Sequence, residues 1–555
     1  MSLSDFLPAT LRTRTPISRL NDEREAICRE VVERVARRVA FESATRLEYT
    51  VEALLSEAAH VELARMEERG LPADKQLYWR KLAQTVSRAR DEDSLEELRR
   101  VSEKYATDAI GHFSQAAYWL ATGAIPAGIA LALSSEARWS MLGGGGSLSG
   151  LADRVRIEGN LEHLRRLAQR GTLVFVPTHS SHMDNLLIGW AIHQAGLPAV
   201  AYGAEVSLFD NPLTAAFMRN LGAYRVDRRL EHKLYKVVLT ELSQCLIERG
   251  YPGLFFAAGK RSRTNQIEQQ LKLGLLGSVV GAYVRNVTTG MARPEVFVVP
   301  VVINYTHVLE ANTLIEDHLR HRGKGRSIIE QDEFHQPARV ARFIQDALDK
   351  EAPISLRFCN PTDVFGNELD ELGRSVGPAG QVLDTRRYLW VGGKPAIDRD
   401  RDRQYTHELG GRLVETFMRN NTVSPLHIVS FALYEHLRRK HGSWDFYALF
   451  RFARGLRIST SVLSGEVERL ARLLRREAEA GRIRLSEEAA SLDPVALLRA
   501  AAAGWTTYHK PAVAELVEGY VQVSEPQLVY FYGNRLRGYG LENELAEGTG
   551  GYGHG

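Results

Sequence analysis

Between residues 172 and 358 two patterns alternate. Short runs rich in β-branched and aromatic residues recur: "TLVFVPT" (172–178), "AVAYG" (199–203), "GAYRV" (222–226), "GLFFAA" (253–258), "EVFVVPVVINY" (295–305) and "PISLRF" (353–358). Between them lie helix-patterned segments such as "RLEHKLYKVVLTELSQCLIER" (229–249). Strands joined through helices make crossover connections, and crossovers lay strands parallel. The expected fold class is α/β, with a mostly parallel sheet in a domain spanning 151–395.

Helical patterns flank that domain. Residues 1–142 interleave charged and apolar positions at helical spacing ("EAICREVVERVARRVAFES", "SLEELRRVSEKYA"). "GGGGSLSG" at 143–150 reads as a Gly-rich linker. From 396 to 547 strands are scarce and helical spacing returns ("VERLARLLRREAEAGRIRL", "DPVALLRAAAAGW"), and 548–555, "GTGGYGHG", reads as a flexible tail. A chain of 555 residues has room for such a division.

A net charge of +3 does not by itself point to nucleic acid, but it leaves room for local basic clusters. Cys28, Cys245 and Cys359 lie far apart without metal-ligand spacing, so neither a disulfide framework nor a zinc site is expected. The N-terminus lacks the layout of a signal peptide, which places the expected protein in the cytosol or on the cytosolic side of a membrane. One stretch, 109–135, contains no Asp, Glu, Lys or Arg. It exceeds the roughly 20 residues that cross a bilayer, yet it is rich in Gly, Ala and Ser and contains His112, Gln115 and Pro126. Two readings stay open: a buried helix pair broken near Gly123 to Pro126, or an interfacial element that contacts a membrane.

Chemistry concentrates in four places. In "VFVPTHSSHMDNLLIG" (174–189), His179 directly follows an apolar strand and Asp184 falls in the first turn of a helix starting near Ser181. With seventeen histidines, one His-x4-Asp match by chance is expected; the context is what distinguishes this one. Strand ends that feed helices are where α/β folds place ligands. A carboxylate one turn on can accept one imidazole N–H and leave the other nitrogen as a base. The alternative is that Asp184 caps the helix and His179 is an ordinary loop residue. In "NLGAYRVDRRLEHKLYK" (220–236), Arg225, Arg228, Arg229, Lys233 and Lys236 crowd a strand-to-helix step. They are either an anion site or a solvated helix face. In "GLFFAAGKRSRTNQ" (253–266), Gly259 ends a strand and Lys260, Arg261, Ser262, Arg263 and Thr264 follow, a composition suited to phosphate or carboxylate. The fourth, "VFVVPVVINYTHVLEA" (296–311), reads as a core strand in which Pro300 implies an edge, a bulge or a bend.

In order and spacing, the four resemble the conserved blocks of the glycerolipid acyltransferases, most closely the bacterial membrane-bound glycerol-3-phosphate acyltransferase branch. "THSSHMDNLL" is similar to the first block, "GAYRVDRR" to the second, "AAGKRSRT" to the third and "VPVVINYTHVLE" to the fourth. The resemblance runs from about 150 to 312, and "PQLVYFYGNRL" (526–536) is similar to a segment found late in that branch. Two departures stand out. Ala258 replaces the glutamate usual in the third block, with Lys260 at a usually small or polar position. Asp227 stands where the second block usually has its first arginine, and Arg225 replaces an aromatic.

The resemblance implies that His179 is the general base and Asp184 its orienting partner. It implies that Arg228, Arg261, Ser262 and Arg263, with Lys260, bind substrate phosphate. The implied reaction moves an acyl group from acyl-CoA or acyl carrier protein to the sn-1 hydroxyl of glycerol 3-phosphate. It needs no metal or organic cofactor and works at the cytoplasmic face of the cell membrane, a bacterial inner membrane. Other acceptors (dihydroxyacetone phosphate, lysophosphatidic acid) and a catalytically impaired, membrane-attached binding protein remain as alternatives. Nucleic-acid binding is not expected, and nothing in the sequence specifies an oligomeric state.

Overall fold

The computed structural model describes residues 16–44, 46–68, 70–86, 91–124, 155–206, 219–323 and 354–547. The expected linker at 143–150, residues 125–135 of the charge-free stretch and the tail at 548–555 lie outside the described residues.

Four helices open the chain: α1 (Leu20–Ser43), α2 (Val51–Glu68), α3 (Ala73–Thr85) and α4 (Asp91–Ala109). A short α5 (Gln115–Trp119) follows and runs into one π-helical turn, Leu120–Ala124. The α/β region then supplies the seven strands of its main sheet, β1 (Val155–Glu158), β2 (Thr172–Pro177), β3 (Ala201–Glu205), β4 (Ala223–Val226), β5 (Gly253–Leu254), β6 (Val296–Asn304) and β7 (Ile354–Phe358), and two short antiparallel pairs, 368–369 with 375–376 and 390–391 with 394–395. Its helices are α6 (Leu161–Arg170), α7 (Met183–Gln194), α8 (Lys233–Glu248), α9 (Leu273–Thr288) and α10 (Ala311–Gly323).

The seven strands form one sheet in the order β1-β7-β6-β2-β5-β3-β4. Every neighbouring pair is parallel except β6 and β7, so the mostly parallel α/β sheet is what the chain builds. Its interior strand β2 is buried along its whole length. Leu173 and Phe175 join a core with Leu187 and Ile188 of α7, while Val174 and Val176 join another with Val279 and Val280 of α9. Alternate residues thus serve opposite faces, and both faces are covered, as parallel sheets require.

Two strands differ from the simple pattern. β5 pairs over two residues only, although "GLFFAA" continues its apolar character. Phe255 still donates its N–H to the carbonyl of Phe175, but the next residues close a turn, Gly259 N–H to Phe256 C=O, with Gly259 at φ +73°. Phe256 leaves the sheet to stack on His179. β6 runs unbroken through Pro300 near the centre of the sheet, so no edge is needed. The irregularity falls on the facing chain. Phe358 pairs with Val301 and Thr362 with Val298, so the facing chain takes one residue more than β6 over this stretch. That bulge sits opposite the proline, where no N–H is available to a partner.

The N-terminal helices lie on α8. Ile27, Val31, Val35 and Val39 recur every fourth residue of α1 and share a core with Leu234, Val238 and Leu242 of α8. Ion pairs edge the contact: Arg34 Nη1 donates to Glu248 Oε1 at 2.9 Å and Arg38 Nη1 to Glu241 Oε1 at 3.0 Å. None of the described helices is long and apolar enough to cross a membrane. Of the charge-free stretch, the described part ends in the π-helical turn; Trp119, the last residue of α5, and Leu120, the first of the turn, are 39% and 42% exposed.

The C-terminal region is mostly helical: α11 (Arg399–Asn420), α12 (Pro425–Lys440), α13 (Phe446–Phe452), α14 (Thr460–Glu479), α15 (Glu487–Ser491), α16 (Pro494–Thr507), α17 (Pro526–Gly533) and α18 (Leu541–Glu547). It also holds a three-stranded sheet from 457–459, 514–517 and 520–523 and a parallel pair from 422–423 and 484–485. Strands of two to four residues give too little alternation to stand out in sequence. This region packs directly on the sheet domain: Tyr508 Oη donates to the carbonyl of Leu309 at 2.9 Å, and His307 Nε2 meets the carbonyl of Gly504 at 2.9 Å.

Candidate active site

The strands β2, β3, β4, β5 and β6 are mutually parallel, so their C-terminal ends share one edge of the sheet. All four chemistry-bearing stretches leave the sheet at that edge. Thr178 secures the first exit: its N–H reaches Val301 C=O, and its Oγ1 accepts from Ile303 N–H.

Immediately beyond it, His179 Nδ1 lies 2.8 Å from Asp184 Oδ2. That oxygen also accepts the backbone N–H groups of Ser180 at 2.7 Å and Ser181 at 3.0 Å. The other oxygen, Oδ1, accepts the hydroxyl of Tyr305 at 2.6 Å. The two readings of Asp184 therefore coincide, since one carboxylate ties down the turn into α7 and also engages the histidine. α7 begins at Met183, two residues later than the expected start near Ser181. Asp184 is fully buried and His179 is 5% exposed. Burial pulls the imidazole below its usual range. Asp184 opposes that shift, and Arg261 and His182 add to it. A neutral imidazole with Nδ1 engaged by a carboxylate has Nε2 available as a base. Burial and the neighbouring Asp184 raise the Tyr305 hydroxyl, which keeps it a donor.

The loop after β5 clamps the backbone of His179 from both sides. Ser262 N–H donates to the His179 carbonyl at 2.8 Å, and Glu268 Oε1 accepts the His179 N–H at 2.6 Å. Loss of hydration raises the Glu268 carboxyl to about 7, against the His179 N–H and the charge of Arg535. The loop closes where Lys272 N–H meets Ala257 C=O at 2.7 Å. Ala258 puts no carboxylate at its own position, but the same loop delivers one ten residues later.

The expected phosphate-binding residues gather on this edge, and each arginine has an acidic partner. Arg261 Nη1 lies 3.4 Å from Glu310 Oε1, Arg263 Nε lies 2.7 Å from Asp317 Oδ2, and Arg228 Nη1 lies 3.1 Å from Glu205 Oε2. Glu310 is completely buried and also accepts Ser181 Oγ and the His182 N–H, tying the basic loop to the turn that carries the His–Asp pair. Its carboxyl is raised by burial. Ser262 spends its hydroxyl on the carbonyl of Gln266 at 2.8 Å. Lys260 is exposed at the rim. Lys272 is exposed as well; partial loss of hydration and the positive charges of Lys260 and Arg228 lower its ammonium, and Glu231 opposes that shift. Asp227 belongs to a separate group, held by Arg229 at 2.9 Å and Arg65 of α2 at 3.3 Å.

Five participants escaped the sequence reading: Tyr305, Glu310, Glu268, Lys272 and Arg535. Tyr305 and Glu310 stand just past the apolar run of β6, where the first polar residues after a core strand are the available signal. Glu268 has none, being 89 positions from His179; Arg535, 356 positions away, falls in the resembling segment 526–536, which marked the stretch but gave the arginine no role. Among the described residues no cluster of His, Cys, Asp or Glu is arranged to hold a metal ion.

Residues 155–304 match the family model described as Acyltransferase. A glycerol-3-phosphate acyltransferase of Pseudoalteromonas translucida (strain TAC 125) is 36% identical over 171 residues, which are 30% of this chain and 20% of that protein. The match thus spans about a fifth of the relative's length. Among solved structures, a 1-acyl-sn-glycerophosphate (LPA) acyltransferase from Thermotoga maritima aligns over 48% of this chain and 72% of its own, at 16% identity and a TM-score of 0.25. That overlap is too low to bear on the architecture. The segment holding β1 to β6 and the His179–Asp184 pair, residues 155–304, is the part of this chain that matches the acyltransferase family.

Proposed function

We propose that the protein transfers a fatty acyl group from an acyl thioester, acyl-CoA or acyl carrier protein, to the sn-1 hydroxyl of glycerol 3-phosphate, giving lysophosphatidic acid. The observation that carries this reading is the buried His179–Asp184 pair at the strand edge, beside a cluster of arginines and lysines.

In the first step His179 Nε2 takes the proton of the acceptor hydroxyl as its oxygen attacks the thioester carbonyl carbon. Asp184 holds Nδ1–H and stabilises the imidazolium as it forms. The tetrahedral intermediate then collapses, the C–S bond breaks, and the thiolate takes the proton from His179. No cofactor enters. Arg228, Arg261 and Arg263, oriented by their carboxylates, and the Lys260–Lys272 pair would hold the phosphate so that the hydroxyl reaches the base. Positioning of this kind supplies up to about 7–11 kcal/mol of barrier reduction in favourable cases.

The product partitions into lipid, so the reading includes contact with the cytoplasmic face of a bacterial inner membrane. Support comes from exposed apolar side chains close to the pair. Leu186, two residues past Asp184 in α7, is 47% exposed, and α7 packs against the turn that begins at the exposed Leu120, next to the exposed Trp119 of α5. Tyr118 of α5 and His193 of α7 meet edge to face at 5.6 Å.

The test is purification in mild detergent and incubation with radiolabelled glycerol 3-phosphate and palmitoyl-CoA, beside a His179→Ala control. Lysophosphatidic acid from the wild type alone supports the proposal. Activity only with dihydroxyacetone phosphate or lysophosphatidic acid as acceptor moves the assignment to that acceptor. Inactivity with every acceptor and both donor types overturns the enzyme reading in favour of a binding protein.

A further inference from the structure

Arg535 belongs to the C-terminal helical region, one residue into the short turn that follows α17, yet it ends at the active edge of the sheet. It is 3% exposed. Nε donates to Asn421 Oδ1 at 2.7 Å, and Nη2 donates to Asn304 Oδ1 at 2.9 Å and to the carbonyl of Ile303 at 3.4 Å. Asn304 is the last residue of β6, and the next residue is the Tyr305 that holds Asp184. The neighbouring Asn534 donates to the carbonyl of Thr264 at 3.1 Å, inside the loop that clamps His179. Two consecutive residues from the far end of the chain therefore brace both walls around the His–Asp pair.

The charge of Arg535 matters as well as its hydrogen bonds. Burying a guanidinium is costly unless acidic partners compensate. Burial lowers the Arg535 guanidinium, and the charge of Glu268, with smaller contributions from Tyr539 and Asp184, opposes that shift. The charged groups facing Glu268 are in turn Arg535, which favours its ionised form, and Asp184, which opposes it. Glu268 is the acceptor for the His179 N–H.

We propose that Arg535 is a positioning residue of the active centre, keeping Glu268 ionised and so fixing the backbone of His179 against Asp184. This rests on the transferase reading above. It also makes the C-terminal region part of the catalytic apparatus. An acid near neutrality that must be ionised gives an activity that rises with pH through that range. Removing the guanidinium leaves Asp184 as the main charge facing Glu268, so the carboxyl ionises at still higher pH.

The experiment compares pH profiles of kcat/KM in the full chain for wild type, Arg535→Met, Arg535→Lys and Glu268→Gln. Wild type is expected to lose activity on acidification through about pH 7. Arg535→Met moves that limb upward and lowers kcat about tenfold with KM for glycerol 3-phosphate held within about twofold, and Arg535→Lys brings the limb back toward its original place. Glu268→Gln stands in for the protonated acid at every pH, so activity stays at the low level of the acid side and the limb near neutrality disappears. A limb unchanged in Glu268→Gln overturns the proposal, as does an Arg535→Met enzyme whose change lies in KM alone. Should Arg535→Met fail to fold, the Lys and Gln variants decide. Hydrogen exchange over residues 176–182 gives a readout independent of turnover. In Glu268→Ala the His179 amide is expected to exchange at least tenfold faster, and unchanged protection overturns the proposal even if the transferase reading fails.

Discussion

Tyr305 donates its hydroxyl to Asp184 Oδ1 over 2.6 Å, while Oδ2 of the same carboxylate faces His179. The side chain that orients the imidazole is thus itself oriented from the end of β6. Tyr305→Phe keeps the ring and removes the donor, leaving a buried carboxylate oxygen without its partner at a cost of about 1–3 kcal/mol. The expected outcome is a folded protein with a lower denaturation midpoint and a kcat reduced about tenfold. KM for both substrates should stay near wild type. Chemical denaturation and steady-state kinetics check the two halves separately.

Asp184→Asn tests the tautomer. The atom facing Nδ1 is the same one that accepts the Ser180 and Ser181 N–H groups. With the amide NH2 there, it donates to Nδ1, forces the imidazole proton onto Nε2 where the acceptor hydroxyl must deliver its own, and leaves the two backbone N–H groups without their acceptor; with the amide oxygen there, NH2 faces the Tyr305 hydroxyl and the imidazolium loses its counter-charge. A loss of about 10⁴-fold in kcat with retained substrate binding is expected, by analogy with the serine-protease aspartate. A loss below tenfold would show that the pair is structural only.

Gly259→Ala probes the cation cluster through its neighbour. Gly259 adopts φ +73°, and a Cβ there would lie 2.6 Å from Cδ of Lys272. The substitution strains the turn and displaces the Lys272 stem. KM for glycerol 3-phosphate should rise about fivefold to tenfold with little change in the KM for the acyl donor. Lys272→Met should reproduce the effect on KM without the loss of stability.

Buried histidines give the fold an acid limit. His509 contacts Tyr532 Oη through Nε2 and His232 accepts the N–H of Tyr235, and burial lowers them to about 3 and about 4. Both folded values lie below the ordinary 6.5, so the unfolded chain takes up these protons first. The stability they contribute is complete above about pH 6.5 and is lost progressively as pH falls toward the folded values. At pH 5 each costs about 2 kcal/mol relative to neutrality. Melting temperatures between pH 7 and 5 should fall steeply, and His509→Gln should flatten the slope.

What the sequence showed and what it hid divide along chain separation. His179 and Asp184 are five residues apart on a strand-turn-helix step, so local pattern and local geometry coincide. The sheet was legible for the same reason, since its strands are short apolar runs punctuated by turns. The short pairing of β5 was not, because Phe255 and Phe256 are both as apolar as strand residues, yet Phe256 leaves the ladder to stack on His179. Glu310 reads in sequence as one acid in a chain with 68 Asp and Glu residues. It becomes a component of the site only when β6 brings it under Ser181 and Arg261. Arg535 lies in a segment the resemblance singled out, 526–536, but its role stayed hidden because its partners at the end of β6 belong to another region of the molecule.

Pro300 has a meaning outside the finished fold. "VFVVPVVIN" is the longest strand of the sheet, buried throughout and without a charged residue, which is the composition that pairs with copies of itself when exposed. While the ribosome is still making the chain, β6 emerges before β7 and before the whole C-terminal region that covers the adjoining core. A proline at its centre denies any stray strand a continuous ladder along its full length. The same missing N–H that the native sheet accommodates with one extra residue opposite also denies a full-length ladder to any strand that meets β6 before the fold closes.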